Sequence, residues 1–226
     1  MNIGNRILFL GDIHGNKSII NMGISYAISN GCTSIIQVGD FGYFPNLYPE
    51  FITYLNNLNP PIPIYFIDGN HDDHWNLPKS NEPVELFPSI FYIPRGYIYK
   101  SILFLGGASS IDKHHRTIGI DWWPEEEISY KDYLTSITNI SNNQLDILIT
   151  HTSPSNEVLT FSDTNDYSNR VINNFISTYR PRLHIHGHHH YQYELKGETT
   201  VIGLGSLLDE QVTMSNIISM SYILDL

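Results

Sequence analysis

Cysteine is all but absent from the 226 residues: Cys32 stands alone. An intramolecular disulfide is therefore excluded, and so is a thiolate cluster for zinc or iron–sulfur. A reducing compartment, the cytoplasm, is the expected location. Charge is also scarce, at 15% of residues against about 25% in an average protein. Cations are the minority, 12 Lys and Arg against 23 Asp and Glu, for a formal charge of −11. That balance excludes the broad basic face that grips duplex phosphates, so long duplex nucleic acid is not an expected partner. Long hydrophobic runs are missing too. No stretch nears the roughly 20 apolar residues that crossing a bilayer requires. The apolar run at residues 7–10 is broken at once by Gly11 and Asp12, too early for a signal peptide. A membrane is not an expected partner.

What the chain does have is core material. Hydrophobic residues make up 41% and aromatics 12%, with 15 Tyr and 10 Phe, so folding needs no covalent staples. At 226 residues one domain, 1–226, is expected. The apolar run 6–10 reads as a strand, followed by a helix capped by Ser18 with Ile20, Ile24, Ala27 and Ile28 on one face. The pattern repeats with a strand at 34–38 and a helix at 48–58, and after Pro60, Pro61 and Pro63 comes a strand at 64–67. Runs at 90–93, 97–99 and 102–105 have no helix between them and predict antiparallel pairing. Pro124 and the following glutamates predict a helix start after a polar, aromatic stretch at 108–128. Further strands are expected at 146–150, 183–185, 191–195, 200–202 and 219–224, with a helix at 171–179 after a long polar loop.

Five of these strands end in Asp, Asn or His: Asp12 and His14, Asp40, Asn70 and His71, His151, and the histidines of 186–190. Loops at the carboxyl ends of strands are where α/β folds place ligands. Imidazole, carboxylate and amide oxygens suit divalent manganese, iron, zinc or nickel. Asp12 and His14, two apart, project to the same side of an extended chain. The set exceeds what one ion needs, and an Asp can bridge two ions. A pair of cations about 3.5–4 Å apart clamps an in-line phosphoryl displacement and acidifies a water toward a pKa of about 7.

Gly11-Asp12-Ile13-His14-Gly15-Asn16, Gly39-Asp40, Gly69-Asn70-His71-Asp72, His151 and Gly187-His188-His189-His190 together resemble, in order, the five signature blocks of calcineurin-like metallophosphoesterases. The resemblance spans roughly residues 7–190. It implies a four-layer αββα sandwich with two mixed β-sheets and a dinuclear centre, manganese being favoured over iron, zinc or nickel. It implies that Asp12, His14, Asp40 and His190 hold one ion, that Asp40 bridges, and that Asn70, His151 and His188 hold the other. A hydroxide between the ions would be the nucleophile, and His71 would be the catalytic histidine that assists the leaving oxygen. Within the histidine run, His186 and His188 share the spacing of His188 and His190; only the Gly-His-x-His pattern favours the latter pair.

The phosphoprotein-phosphatase branch of that family carries an Asp three positions after the metal Asp, followed by an Arg; here Tyr43 and Phe44 stand there. A protein Ser/Thr phosphatase is therefore disfavoured, and Asp72 or Asp73 is the candidate to orient His71. Arg116, in a cationic stretch after Gly106-Gly107-Ala108-Ser109, is a candidate phosphate ligand, and Arg95 a second. The expected substrate is a phosphorylated small molecule or nucleotide, as a phosphomonoester or small phosphodiester. The alternatives are a metal-dependent nuclease and a non-catalytic scaffold of the same fold.

Overall fold

The computed structural model describes residues 1–141, 144–154, 166–207 and 212–226. Strands β1 (Arg6–Leu10), β2 (Ser34–Gln37) and β3 (Ile64–Phe66) alternate with helices α1 (Lys17–Ser29) and α2 (Pro49–Leu58). Four strands follow: β4 (Val84–Phe87), β5 (Ile90–Tyr92), β6 (Tyr97–Tyr99) and β7 (Ile102–Leu105). Next come α3 (Tyr130–Ile140), β8 (Ile147–Thr150), α4 (Tyr167–Tyr179), β9 (Leu183–His186), β10 (Tyr193–Leu195), β11 (Thr200–Gly203), α5 (Met214–Ser219) and β12 (Ser221–Asp225).

The strands form two six-stranded sheets, ordered β12-β1-β2-β3-β5-β4 and β10-β11-β9-β8-β7-β6. In each sheet a parallel core, β1-β2-β3-β5 or β11-β9-β8-β7, is flanked on both edges by an antiparallel strand. Parallel strands covered on both faces read as continuous apolar runs, which is why these segments lack polar alternation. Side-chain period sorts them into layers. Ile7, Phe9, Ile36, Tyr65, Phe104, Ile149, Ile185 and Ile202 meet between the sheets. Leu8, Leu10, Ile35 and Phe66 point outward to Ile20 and Ile24 of α1, Phe51 and Leu55 of α2, and Ile217 of α5. Leu103, Leu105 and Leu148 do the same on the other sheet, against Ile140 of α3 and Val171, Ile172 and Phe175 of α4. The result is the expected αββα sandwich.

Several local expectations are corrected. Asn16, not Ser18, caps α1; its Oδ1 accepts from the N–H groups of Ser18 and Ile19 at 2.9 and 3.3 Å. Pro124 opens only one 3-10 turn, Pro124–Glu126, and the helix proper waits for Ser129, which makes a reciprocal capping box with Asp132. Strands β6 and β7 pair antiparallel as expected, but β5 runs parallel to β3, because the chain first passes through β4 and returns antiparallel from it. The long polar loop expected after His151 falls largely on residues 155–165, outside the described residues.

Candidate metal centre

The carboxyl ends of β1, β2 and β3 meet those of β8 and β9 across the seam between the sheets. They bring Asp12, His14, Asp40, Asn70 and His71 from one sheet to His151, His188 and His190 from the other. The backbone is bent hard to do it. His14, Asp40, His188 and His190 all have left-handed φ, +44°, +56°, +69° and +63°, a region that costs a non-glycine residue roughly 1–2 kcal/mol. Such strain is kept only where surrounding structure over-determines it. Neighbouring glycines make the approach possible: a Cβ on Gly39 would collide with the His151 imidazole, and one on Gly187 with the Asp12 carboxylate.

One donor atom from each of Asp12, His14, Asp40 and His190 lies within 4.8 Å of all the others. His190 Nε2 is 3.1 Å from Asp12 Oδ2, and His14 Nε2 is 3.2 Å from His190 Nε2 and 3.8 Å from Asp40 Oδ2. On the other side of Asp40, His151 Nε2 lies 3.3 Å from Asp40 Oδ1 and 3.2 Å from Asn70 Oδ1. The His188 ring stands edge-on to His151 with centroids 5.0 Å apart. Its backbone N–H donates to Asp12 Oδ1 at 3.0 Å, so the histidine loop also fixes the carboxylate. All seven predicted ligand positions thus fall in one place, with Asp40 at its middle. A cluster of two buried carboxylates, imidazoles and one amide oxygen is a donor set that fits divalent transition cations.

Electrostatics support the same chemistry. Burial alone would raise the Asp40 carboxyl, but the imidazoles of His151, His71 and His14 outweigh it and hold it well below the usual range. Burial, with His151 nearby, keeps His188 well below the ordinary histidine value, so its ring is neutral. His190 is pushed the other way by its hydrogen bond to Asp12.

A cleft of about 380 Å³ opens over the cluster, lined by Asp40, Asn70, His71, Arg116, His188 and Tyr191 among others. His71 is held by its backbone N–H, which donates to Asp40 Oδ1 at 2.7 Å, and its pKa is lowered chiefly by burial, with Arg116 adding to the effect. Arg116 lies along its ring, Nη1 and Nη2 at 3.2 and 3.1 Å from the two ring nitrogens. Asp112 fixes that guanidinium, Oδ1 at 2.8 Å from Nε; the four-residue spacing of Asp112 and Arg116 was the available signal.

Arg95 is not in the cleft, a correction to the sequence reading. Its guanidinium is consumed by Asp68 Oδ2 at 2.8 and 2.6 Å, by Asp132 at 3.3 Å and by the carbonyls of Glu125, Glu126 and Glu127. No donor is left for a phosphate. Neither candidate carboxylate orients His71. Asp73 caps a local turn through the N–H groups of Trp75 and Asn76. Asp72 accepts from the backbone N–H groups of Phe41, Gly42, Tyr43 and Gly69 at 3.2, 2.9, 2.8 and 2.9 Å, stapling the Asp40 loop to the Asn70 loop. Burial and the charge of Asp40 push its carboxyl up, yet donors on every side require the acceptor form. His189, outside the predicted ligand set, bonds Ser153 at 2.8 Å.

The family model described as calcineurin-like phosphoesterase matches residues 5–192. No curated protein matches the chain. Among solved structures it is similar to TT1561 of Thermus thermophilus, at 16% identity and TM-score 0.58 over 89% of each chain. It is also similar to GAP50, the anchor in the inner membrane complex of Plasmodium, at 13% identity and TM-score 0.59 over 98% of this chain and 79% of that one. A third is a dimetal phosphatase from Danio rerio, at 9% identity and TM-score 0.50 over 90% and 88%. At these identities the likenesses show the fold.

Proposed function

This chain belongs to the calcineurin-like phosphoesterase family, and on that premise we propose that it hydrolyses small phosphate esters, phosphomonoesters or nucleotide-sized phosphodiesters, with two divalent cations, manganese favoured. Asp12, His14, Asp40 and His190 would hold one ion, and Asn70, His151 and His188, with Asp40 shared, the other. Bound cations would supply an acidified water and offset charge on the phosphoryl oxygens. The observation that carries the reading is the convergence of donor atoms on both sides of the Asp40 carboxylate.

The chain's own groups do the rest. Arg116 offers two Nη groups at the cleft beside His71, the fork that binds two phosphoryl oxygens. Asp112, which accepts from Nε and Nη2, and the Asp121 carbonyl, which accepts from Nη1, hold that fork in place, and a phosphate would take the Nη hydrogens that now face the His71 ring nitrogens. His71, neutral and anchored through Asp40, carries one ring N–H to donate to the leaving oxygen. The exposed side chains of Ile111 and Tyr191 flank the cleft and suit an organic leaving group. Its modest volume favours a small ester over a nucleic-acid strand. The two sheets share one apolar layer and one cleft, which supports residues 1–226 acting as a single domain. No helix among the described residues is long and apolar enough to cross a membrane; a cytoplasmic location rests on the lone Cys32.

Dialysis against chelator, then re-addition of manganese, iron, zinc or nickel, tests the reading with p-nitrophenyl phosphate and its bis-ester. Activity lost with chelator and restored by manganese is expected. No metal-restored hydrolysis of either ester would overturn it in favour of a scaffold.

A further inference from the structure

Behind Asn70 lie two buried groups with no role in the reaction as described, Ser110 and Glu126. Asn70 Nδ2 is 3.0 Å from Ser110 Oγ. Ser110 Oγ is 2.7 Å from Glu126 Oε2, and Ser110 N is 2.6 Å from Glu126 Oε1. Asn70, Ser110 and Glu126 are 3%, 2% and 0% exposed, so solvent does not compete for these bonds. The turn that carries Glu126 is itself pinned, its carbonyl accepting from Ala108 N and from Arg95 Nη2, each at 3.0 Å. Arg95 therefore does contribute to the site, from behind.

Group chemistry sets the direction of the line. Burial raises the Glu126 carboxyl, and the hydrogen bonds from Ser110 oppose that rise; as a carboxylate it can only accept. It takes the single hydroxyl hydrogen of Ser110, so Oγ has only lone pairs to offer Asn70. Asn70 must meet it with the NH2 group. The carboxamide oxygen is then turned the other way, toward His151 Nε2 at 3.2 Å. The two ends of an amide are nearly equal in size, so packing alone does not decide which faces the centre.

We propose that Ser110 and Glu126 are positioning residues: through the hydroxyl they lock the Asn70 carboxamide with its oxygen, the end able to ligate a cation, facing Asp40 and His151. The inference rests on the two-cation reading above. Its test is manganese titration of the full chain by calorimetry, with electron paramagnetic resonance of the loaded protein, in wild type, Ser110→Ala, Ser110→Thr and Glu126→Gln. The isosteric Glu126→Gln presents an NH2 to Ser110, reverses the hydroxyl and turns the Asn70 NH2 to the centre. In Ser110→Ala and Glu126→Gln the first ion should bind within about twofold of wild type, and the second roughly 10–100-fold more weakly. The exchange-coupled pair signal should give way to that of isolated ions. Ser110→Thr, which keeps a hydroxyl, should retain wild-type titration. Unchanged second-ion affinity in Ser110→Ala and Glu126→Gln would overturn the relay and leave the two-cation reading standing, as would equal loss in Ser110→Thr and Ser110→Ala. Should Ser110→Ala fail to fold by circular dichroism, Glu126→Gln decides the matter alone. A wild-type chain that takes up fewer than two ions would overturn that reading and the relay together.

Discussion

Asp72 is the most exacting place to perturb the scaffold, because one side chain ties together the two loops that carry Asp40 and Asn70. Its Oδ1 accepts from Gly42 N and Tyr43 N, and its Oδ2 from Phe41 N and Gly69 N. Asp72→Asn keeps the shape and replaces one oxygen with an NH2. Whichever way that amide turns, two backbone N–H groups face a donor instead of an acceptor. A buried donor left unsatisfied costs about 1–3 kcal/mol, so the substitution should cost about 2–6 kcal/mol. For a chain of this size each kcal/mol lowers the melting temperature by roughly 2–4 °C, and a fall of roughly 4–24 °C is expected. Differential scanning calorimetry of the metal-free protein reads it without interference from bound ions. A melting temperature within about 2 °C of wild type would show that the loops are held by something else, and the staple argument would be wrong.

Asp40→Asn should remove hydrolysis and weaken uptake of both cations by at least about tenfold, read by metal analysis after gel filtration. His71→Ala should keep full metal content while lowering kcat by about 10²–10⁴-fold; loss of metal instead would show that His71 helps hold the cations and refute its role as leaving-group donor. Arg95→Met strands Asp68, and removing one partner of a buried pair costs about 3–5 kcal/mol. With manganese saturating, its KM for p-nitrophenyl phosphate should stay within about twofold of wild type; a large rise would return Arg95 to the substrate. Acid should destabilise the fold through two buried rings. Burial pushes His74 down to about 4 and His184 to about 3, from an ordinary value of 6.5. The folded state binds fewer protons than the unfolded one below 6.5, so stability is lost as pH falls from there toward those values, by about 2 kcal/mol per ring at pH 5. Urea unfolding of His184→Gln at pH 7.5 and 5 should show a smaller pH dependence than wild type, and an equal one would refute the assignment.

The centre was legible because its residues sit at strand ends, where an apolar run stops at Gly-Asp, Gly-Asn-His, Gly-His or, for His151, directly after Thr150. That signal is local. What the sequence hid is set by partners far along the chain. Arg95 looked like a phosphate ligand beside Gly96, but Asp68 and Asp132 claim it, and no window of sequence shows both. Asp72 looked like an orienting carboxylate for its neighbour His71, yet its four N–H donors come mostly from a loop about thirty positions upstream. Strand β4 leaves little trace in the sequence because Val84, Glu85 and Leu86 are only partly covered at the sheet edge and show no clean alternation. The direction of β5 depends on the path between strands, which period-two patterning does not encode. At α1, Asn16 and Ser18 are both good caps, and only geometry chooses between them.

The seam between the two sheets has a consequence for how the chain comes alive. Asp12, His14, Asp40 and Asn70 are synthesised early, whereas His151, His188 and His190 come from strands completed more than eighty positions later. A half-finished polypeptide therefore holds an incomplete set of the proposed donors. If these residues hold cations as proposed, the whole donor set would exist only once strands of both sheets are made, and the first sheet itself is closed by β12, the last strand of the chain.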